Sequence, residues 1–108
     1  MAQDIARGDI WLYRFAAPDK RRPVLVLSRQ AALLHLRTAV VAPITSTIHG
    51  IQSECRVGAV EGLKHDSVVN LDHLYTVPQS ELRRWIGHLG EEKMDEVCAA
   101  LAIALGCV

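Results

Sequence analysis

Residues 23–28 read Pro23-Val24-Leu25-Val26-Leu27-Ser28. The run is apolar, partly β-branched and too short for a helix, so it reads as a central strand buried on both faces. Pro23 stands at its first residue, where a missing N–H is tolerated. Such a strand needs neighbours on both edges, and the flanking sequence supplies them. Upstream, Gly8 to Phe15 (GDIWLYRF) sets β-branched and aromatic residues after a glycine and reads as a first strand. Ala16 to Arg21 is a short loop with Pro18, Asp19 and Lys20. Downstream, Arg29 to Leu36 is either a helical turn or a surface loop. Ala39 to Ile44 (AVVAPI) is another buried strand, whose Pro43 suggests an edge position or an early end. Ile51–Val57, Ser67–Leu71, His73–Val77 and Trp85–Leu89 read as further short strands. Gly58 and Gly62 punctuate them, and Pro78–Leu82 reads as a helical turn.

The C-terminal segment changes period. Met94, Val97, Cys98, Leu101, Ala102 and Leu105 fall at i, i+3, i+4, i+7, i+8 and i+11, one apolar stripe of a helix over Glu91–Leu105. Glu91 and Glu92 lie in its first turn, where the helix dipole favours negative charge, and Gly106 follows its end. Short strands, glycine punctuation and one terminal helix predict a mainly β fold, a compact barrel packed on a helix.

A chain of 108 residues fits one domain, 1–108, and half its residues are apolar, enough for a packed core. No apolar run approaches the roughly 18 residues of a membrane span. The opening MAQDIARGD lacks the basic start and apolar stretch of a secretory leader, so the expected compartment is the cytoplasm. Cys55, Cys98 and Cys107 form no CxxC pair, which argues against a disulfide scaffold or a zinc knuckle. Cys98 reads as a small core residue of the helix stripe, and Cys107 as a free thiol. Net charge is zero, but residues 1–54 carry seven Lys/Arg against four acids, and residues 55–108 five against eight. That asymmetry fits one positive face or ordinary scattered surface charge.

General catalytic motifs are absent: there is no GxSxG, HExxH or P-loop, and none of the five histidines pair at metal-ligand spacing. Arg7-Gly8-Asp9 reads as a chance tripeptide. Two places can carry chemistry. Lys20-Arg21-Arg22 precedes the buried strand, where an arginine presents a planar fork suited to phosphate oxygens. Thr45-Ser46-Thr47 ends the AVVAPI strand, where hydroxyls either donate to a phosphate or close a turn. Read alone, both places are better explained by structural roles.

Their order along the chain adds to this. Gly8-Asp9-Ile10-Trp11 is followed by Arg22-Pro23-Val24-Leu25-Val26, then Val41-Ala42-Pro43-Ile44-Thr45-Ser46. Next come Gly62-Leu63-Lys64-His65-Asp66-Ser67-Val68-Val69, Ile86-Gly87-His88-Leu89 and Ala104-Leu105-Gly106. In this order and spacing the chain resembles the MazF/PemK family of toxins over nearly its whole length. The resemblance implies an SH3-like β-barrel of the CcdB/MazF kind with a C-terminal helix, usually assembled as a homodimer. It implies metal-independent, cofactor-free cleavage of single-stranded RNA at a short motif. Its catalytic arginine and threonine map to Arg22 and Thr45; Lys20, Arg21, Ser46, Thr47, His49 and Asn70 are the expected RNA-binding residues around them. It also implies a cognate antitoxin whose acidic, disordered tail occupies the RNA groove. The loop Ala16–Arg21 is shorter than in many members, and Asn70 and Asp72-His73 depart from the usual pattern. Both bear on which sequence is read.

Cleavage without metal points to attack by the ribose 2′-OH, leaving a 2′,3′-cyclic phosphate and a 5′-OH. Arginine is a poor base, and His49 is a local alternative. Two rivals share the fold: a CcdB-type gyrase poison, whose end is typically Trp-Gly-Ile-like where this chain has Leu105-Gly106-Cys107-Val108, and a non-catalytic SH3-like binding module. Trp11 and Trp85 are expected in the core or a dimer contact, and Tyr13 and Tyr75 are candidates for facing the groove.

Overall fold

A computed structural model of the chain describes residues 4–16 and 20–108. Residues 17–19, half of the loop expected over 16–21 and with them Pro18 and Asp19, lie outside the described residues. The strands are β1 (Asp9–Arg14), β2 (Arg21–Val26), β3 (Thr38–Thr45), β4 (Glu54–Val57), β5 (Ser67–Asn70), β6 (Tyr75–Pro78) and β7 (Arg84–His88). A short helix α1 (Gln30–His35) and the terminal helix α2 (Glu91–Leu105) complete the set, with 3-10 turns at 59–61 and 79–81. The sheet runs β4-β5-β3-β2-β1-β7, all antiparallel, and β6 pairs with the first half of β3.

The central strand is buried as its composition requires, but it spans Arg21–Val26 rather than 23–28, so Arg21 belongs to the strand and not to the preceding loop. Val24, Leu25 and Val26 are fully buried, and alternate residues enter two separate cores. Leu25 joins Ile10, Ala42, Ile44, Val69 and Val97 under α2. Val24 and Val26 join Trp11, Val41, Val77 and Leu33 on the opposite face, which α1 covers. Two buried faces explain the continuous apolar run.

Pro43 is neither an edge residue nor a strand end. It pairs with Val24 inside β3, between the β6 pairing, which ends at Val41, and the β5 pairing, which begins at Ile44. Its missing N–H falls where the strand changes partner, so no ladder bond is lost. The segment from Ile51 turns rather than extends: Glu54 N–H bonds to Ile51 O (3.1 Å), and β4 begins only at Glu54. Likewise β6 begins at Tyr75, because Asn70 Oδ1 accepts from Asp72 N–H (3.0 Å) and turns the chain.

Helix α2 has the predicted limits, and Cys107 N–H closes its end on Ala102 O (2.7 Å) around the left-handed Gly106. Its buried face is rotated from the expected stripe. Val97 and Ala100 are buried and Met94, Leu101 and Ala104 pack with them, whereas Cys98 and Leu105 face outward. Cys98 is therefore not a core residue; its sulfur meets Arg7 Nη2 at 3.2 Å.

The sheet curls into a half-barrel rather than a closed barrel, and two glycines set how tightly. A Cβ on Gly87 of β7 would meet Glu61 O at 1.9 Å, and one on Gly62 would meet Ile86 O at 2.7 Å. Gly62 also has φ +95°, which favours glycine. The turn after β4 thus docks directly on β7, at the other end of the sheet.

Candidate active site

Arg22 and Thr45 are brought together by strand register. Val24 pairs with Pro43, and continuing that register by two residues sets Arg22 opposite Thr45. Arg22 also pairs with Tyr13 of β1. Period-two alternation puts Arg22 and Thr45 on the face that carries Val24 and Val41, just beyond the edge of that core.

There the side chains line a cleft of about 320 Å³ with Phe15, Pro43, Thr47, His49, Asn70, His73 and Tyr75. Thr45 Oγ1 accepts from Thr47 N–H (3.1 Å), which fixes the hydroxyl and leaves its proton free to donate. His49 and Gly50 N–H groups donate to the Glu54 carboxylate (2.9–3.3 Å), so the loop carrying His49 is tied down. Tyr13, Phe15 and Tyr75 stack edge to face, with centroids 4.9 and 5.0 Å apart; Phe15 and Tyr75 form one wall, while Tyr13 lines a separate hollow. Tyr13 donates to Glu81 (2.9 Å); burial first, and then this carboxylate, push its phenol above its ordinary range. Burial also raises the Cys55 thiol, which keeps it protonated and inert in the core.

A larger groove of about 680 Å³ adjoins the cleft and shares Arg22, Thr45 and Thr47 with it. Lys20, Arg21, Ser46, Lys64, His65, Arg84 and Trp85 line it. Each expected catalytic or RNA-binding residue lines one of two adjoining hollows: His49 and Asn70 the smaller, Lys20, Arg21 and Ser46 the larger, and Arg22, Thr45 and Thr47 both; of the two tyrosines, Tyr75 lines the smaller and Tyr13 neither. Sequence reading flagged His73 only as a departure from the family pattern and missed Phe15, Lys64, His65 and Arg84. Phe15 was findable, since Trp11, Tyr13 and Phe15 alternate along one strand face; the others meet the site only through the curl of the sheet. Trp11 is buried as expected, while Trp85 is 55% exposed at the groove edge. Among the described residues, no three His, Cys, Asp or Glu side chains are grouped as metal ligands.

A family model described as the PemK-like, MazF-like toxin of type II toxin–antitoxin systems matches residues 6–105. The chain belongs to the PemK/MazF toxin family. It is 41% identical over 103 residues to the probable endoribonuclease MazF5 of Mycobacterium tuberculosis, covering 94% of both chains. Among solved structures, it matches the Mycobacterium tuberculosis toxin MazF-mt6 with a TM-score of 0.83 and 38% identity, over 91% of this chain and 96% of that one. A mycobacterial endoribonuclease in complex with its cognate antitoxin matches with a TM-score of 0.86 and 26% identity, over 97% and 98%.

The MazF/PemK motifs acquire physical meaning in this fold. The aspartate of Gly8-Asp9-Ile10-Trp11 is buried and accepts from Ala6 N–H (2.9 Å), Trp11 Nε1 (3.2 Å) and Trp85 Nε1 (3.4 Å), and its Oδ1 lies 2.9 Å from His88 Nδ1. It is a structural hub between β1 and β7, not part of the cleft. Gly62 and Gly87, from two further motifs, are the close contact that curls the sheet. The gyrase-poison and binding-module readings are not favoured by this membership.

Proposed function

We propose that this chain is the toxin of a type II toxin–antitoxin pair and cuts single-stranded RNA within a short sequence motif, without a metal ion. The observation that carries this reading is the cross-strand pair Arg22 and Thr45 in a cleft that opens into a basic groove. The ribose 2′-OH attacks the adjacent phosphorus and expels the 5′-oxygen, leaving a 2′,3′-cyclic phosphate and a 5′-OH. Arg22 stabilises the charge that builds on the phosphorane-like transition state, and the Thr45 hydroxyl donates to a non-bridging oxygen. DNA, which lacks the attacking hydroxyl, resists. A guanidinium is a poor base, so His49, fixed by Glu54 in the same cleft, is the local alternative to Arg22 for taking the 2′-OH proton. Lys20, Arg21, Ser46, Thr47 and Asn70 hold the RNA on either side.

The toxin acts in the cytoplasm as a single domain that pairs into a homodimer, and an antitoxin with an acidic, disordered tail restrains it by covering the groove. No helix among the described residues is long and apolar enough to cross a membrane.

The test is incubation with a long mixed-sequence RNA in excess EDTA, with new 5′ ends mapped. Discrete cuts with 5′-OH ends are expected. Arg22→Ala abolishes them with folding unchanged, and Thr45→Val slows them by about tenfold, the worth of one neutral hydrogen bond. Full activity of Arg22→Ala, or cuts that EDTA stops, overturns the reading.

A further inference from the structure

On the opposite face of the sheet from Arg22 and Thr45, the strand ends collect positive charge. Arg14 of β1 is the direct cross-strand partner of Arg21 of β2. Arg84 of β7 pairs with Leu12, which places it diagonally from Arg14 on the same face. Diagonal neighbours lie about 7–8 Å apart, within reach of long side chains. The three guanidinium groups line one hollow of about 420 Å³. Like charges set directly opposite each other destabilise a sheet. Among the described residues none of the three is in an ion pair, and the one acid lining the hollow, Glu81, already accepts from Tyr13. A cluster that is unfavourable by itself points to an anionic occupant.

The hollow is continuous with the proposed cleavage site. Arg21 and Arg84 line both it and the larger groove, and Arg22 carries that groove into the catalytic cleft. We infer that Arg14, Arg21 and Arg84 form a second phosphate-binding subsite, which holds the RNA backbone several nucleotides to one side of the scissile phosphate. This rests on the ribonuclease reading above. Three guanidinium forks from three strands grip phosphates without reading bases, so the subsite supplies affinity and register, not sequence choice.

Binding of a fluorescein-labelled single-stranded 2′-O-methyl RNA 12-mer, which has no attacking hydroxyl, reads the subsite apart from catalysis. Its affinity is followed against salt for the full chain, for Arg14→Gln, for Arg84→Gln and for the double variant. The slope of log affinity on log salt is expected to shrink by about 0.7 for each arginine removed. With cleavable RNA of the same length, the loss falls on KM rather than kcat. Arg56→Gln, an exposed arginine of β4 outside all three hollows, keeps the wild-type slope. The variants unfold at no lower temperature than wild type, since the change relieves repulsion; a purely structural role would lower it. An unchanged slope overturns the subsite. So does an RNA slope that stays while binding of an acidic peptide weakens, which would assign the cluster to the antitoxin. Normal slopes with no cleavage by wild-type protein would instead sink the ribonuclease reading.

Discussion

Asp9 shows how a single buried carboxylate organises this protein. Its two oxygens collect two indole N–H groups, the Ala6 amide and the His88 imidazole, and so tie the N-terminal segment, β1 and β7 together. Trp85 and His88 are exposed and turn to water when the carboxylate is lost. Trp11 Nε1 cannot, because Trp11 is buried. Asp9→Ala is therefore expected to destabilise the fold by about 1–3 kcal/mol, the penalty for a stranded buried donor. Urea unfolding measures it; a change under about 1 kcal/mol would mean that water replaces the carboxylate. At the same scale, Thr45 illustrates a small device. By accepting from Thr47 N–H, its hydroxyl loses rotational freedom and keeps its donor for a ligand.

Among elements, the contact between β7 and the turn at 59–61 governs curvature. Gly87 has no room for a methyl group, since the nearest atom is the backbone oxygen of Glu61. Backbone cannot swing aside as a side chain does, so Gly87→Ala must push the turn off the strand. The expected loss is about 3 kcal/mol, from overpacking and local strain. It should appear as a lowered melting temperature, with cleavage impaired because Lys64 and His65, just beyond Gly62, line the groove. A variant with wild-type melting would show that the sheet tolerates a wider curl. Gly90→Ala, where a Cβ meets nothing within 4 Å, is the matched control.

For the whole molecule, the two cores divide the labour. The core under α2 holds the curl, while the core under α1 ends at the Tyr13–Phe15–Tyr75 array, so the proposed cleavage cleft sets strand residues on a packed edge beside the tied-down loop of His49. The larger groove is open and carries the exposed Trp85. A proposed homodimer gives that surface a second wall. Sedimentation equilibrium should return twice the 11.9 kDa chain mass. A monomer at all concentrations would mean that one chain forms the whole site.

The sequence by itself determined the strand character of 23–26 and 39–44 and the limits of α2, and the order of its motifs pointed, through the family resemblance, to Arg22 and Thr45. The strands and the helix rest on local composition and period, and a short apolar run has few alternatives. It left other features open because they depend on partners far along the chain. Whether Pro43 breaks a strand depends on where β6 stops and β5 starts. Which side of α2 is buried depends on the angle at which the helix meets the sheet, and this turned Cys98 to solvent against the stripe pattern. The arginine cluster was equally hidden, because Arg14, Arg21 and Arg84 become neighbours only through the β1–β2 and β1–β7 registers. Period can be read along a chain, but register and curl are set by packing between segments.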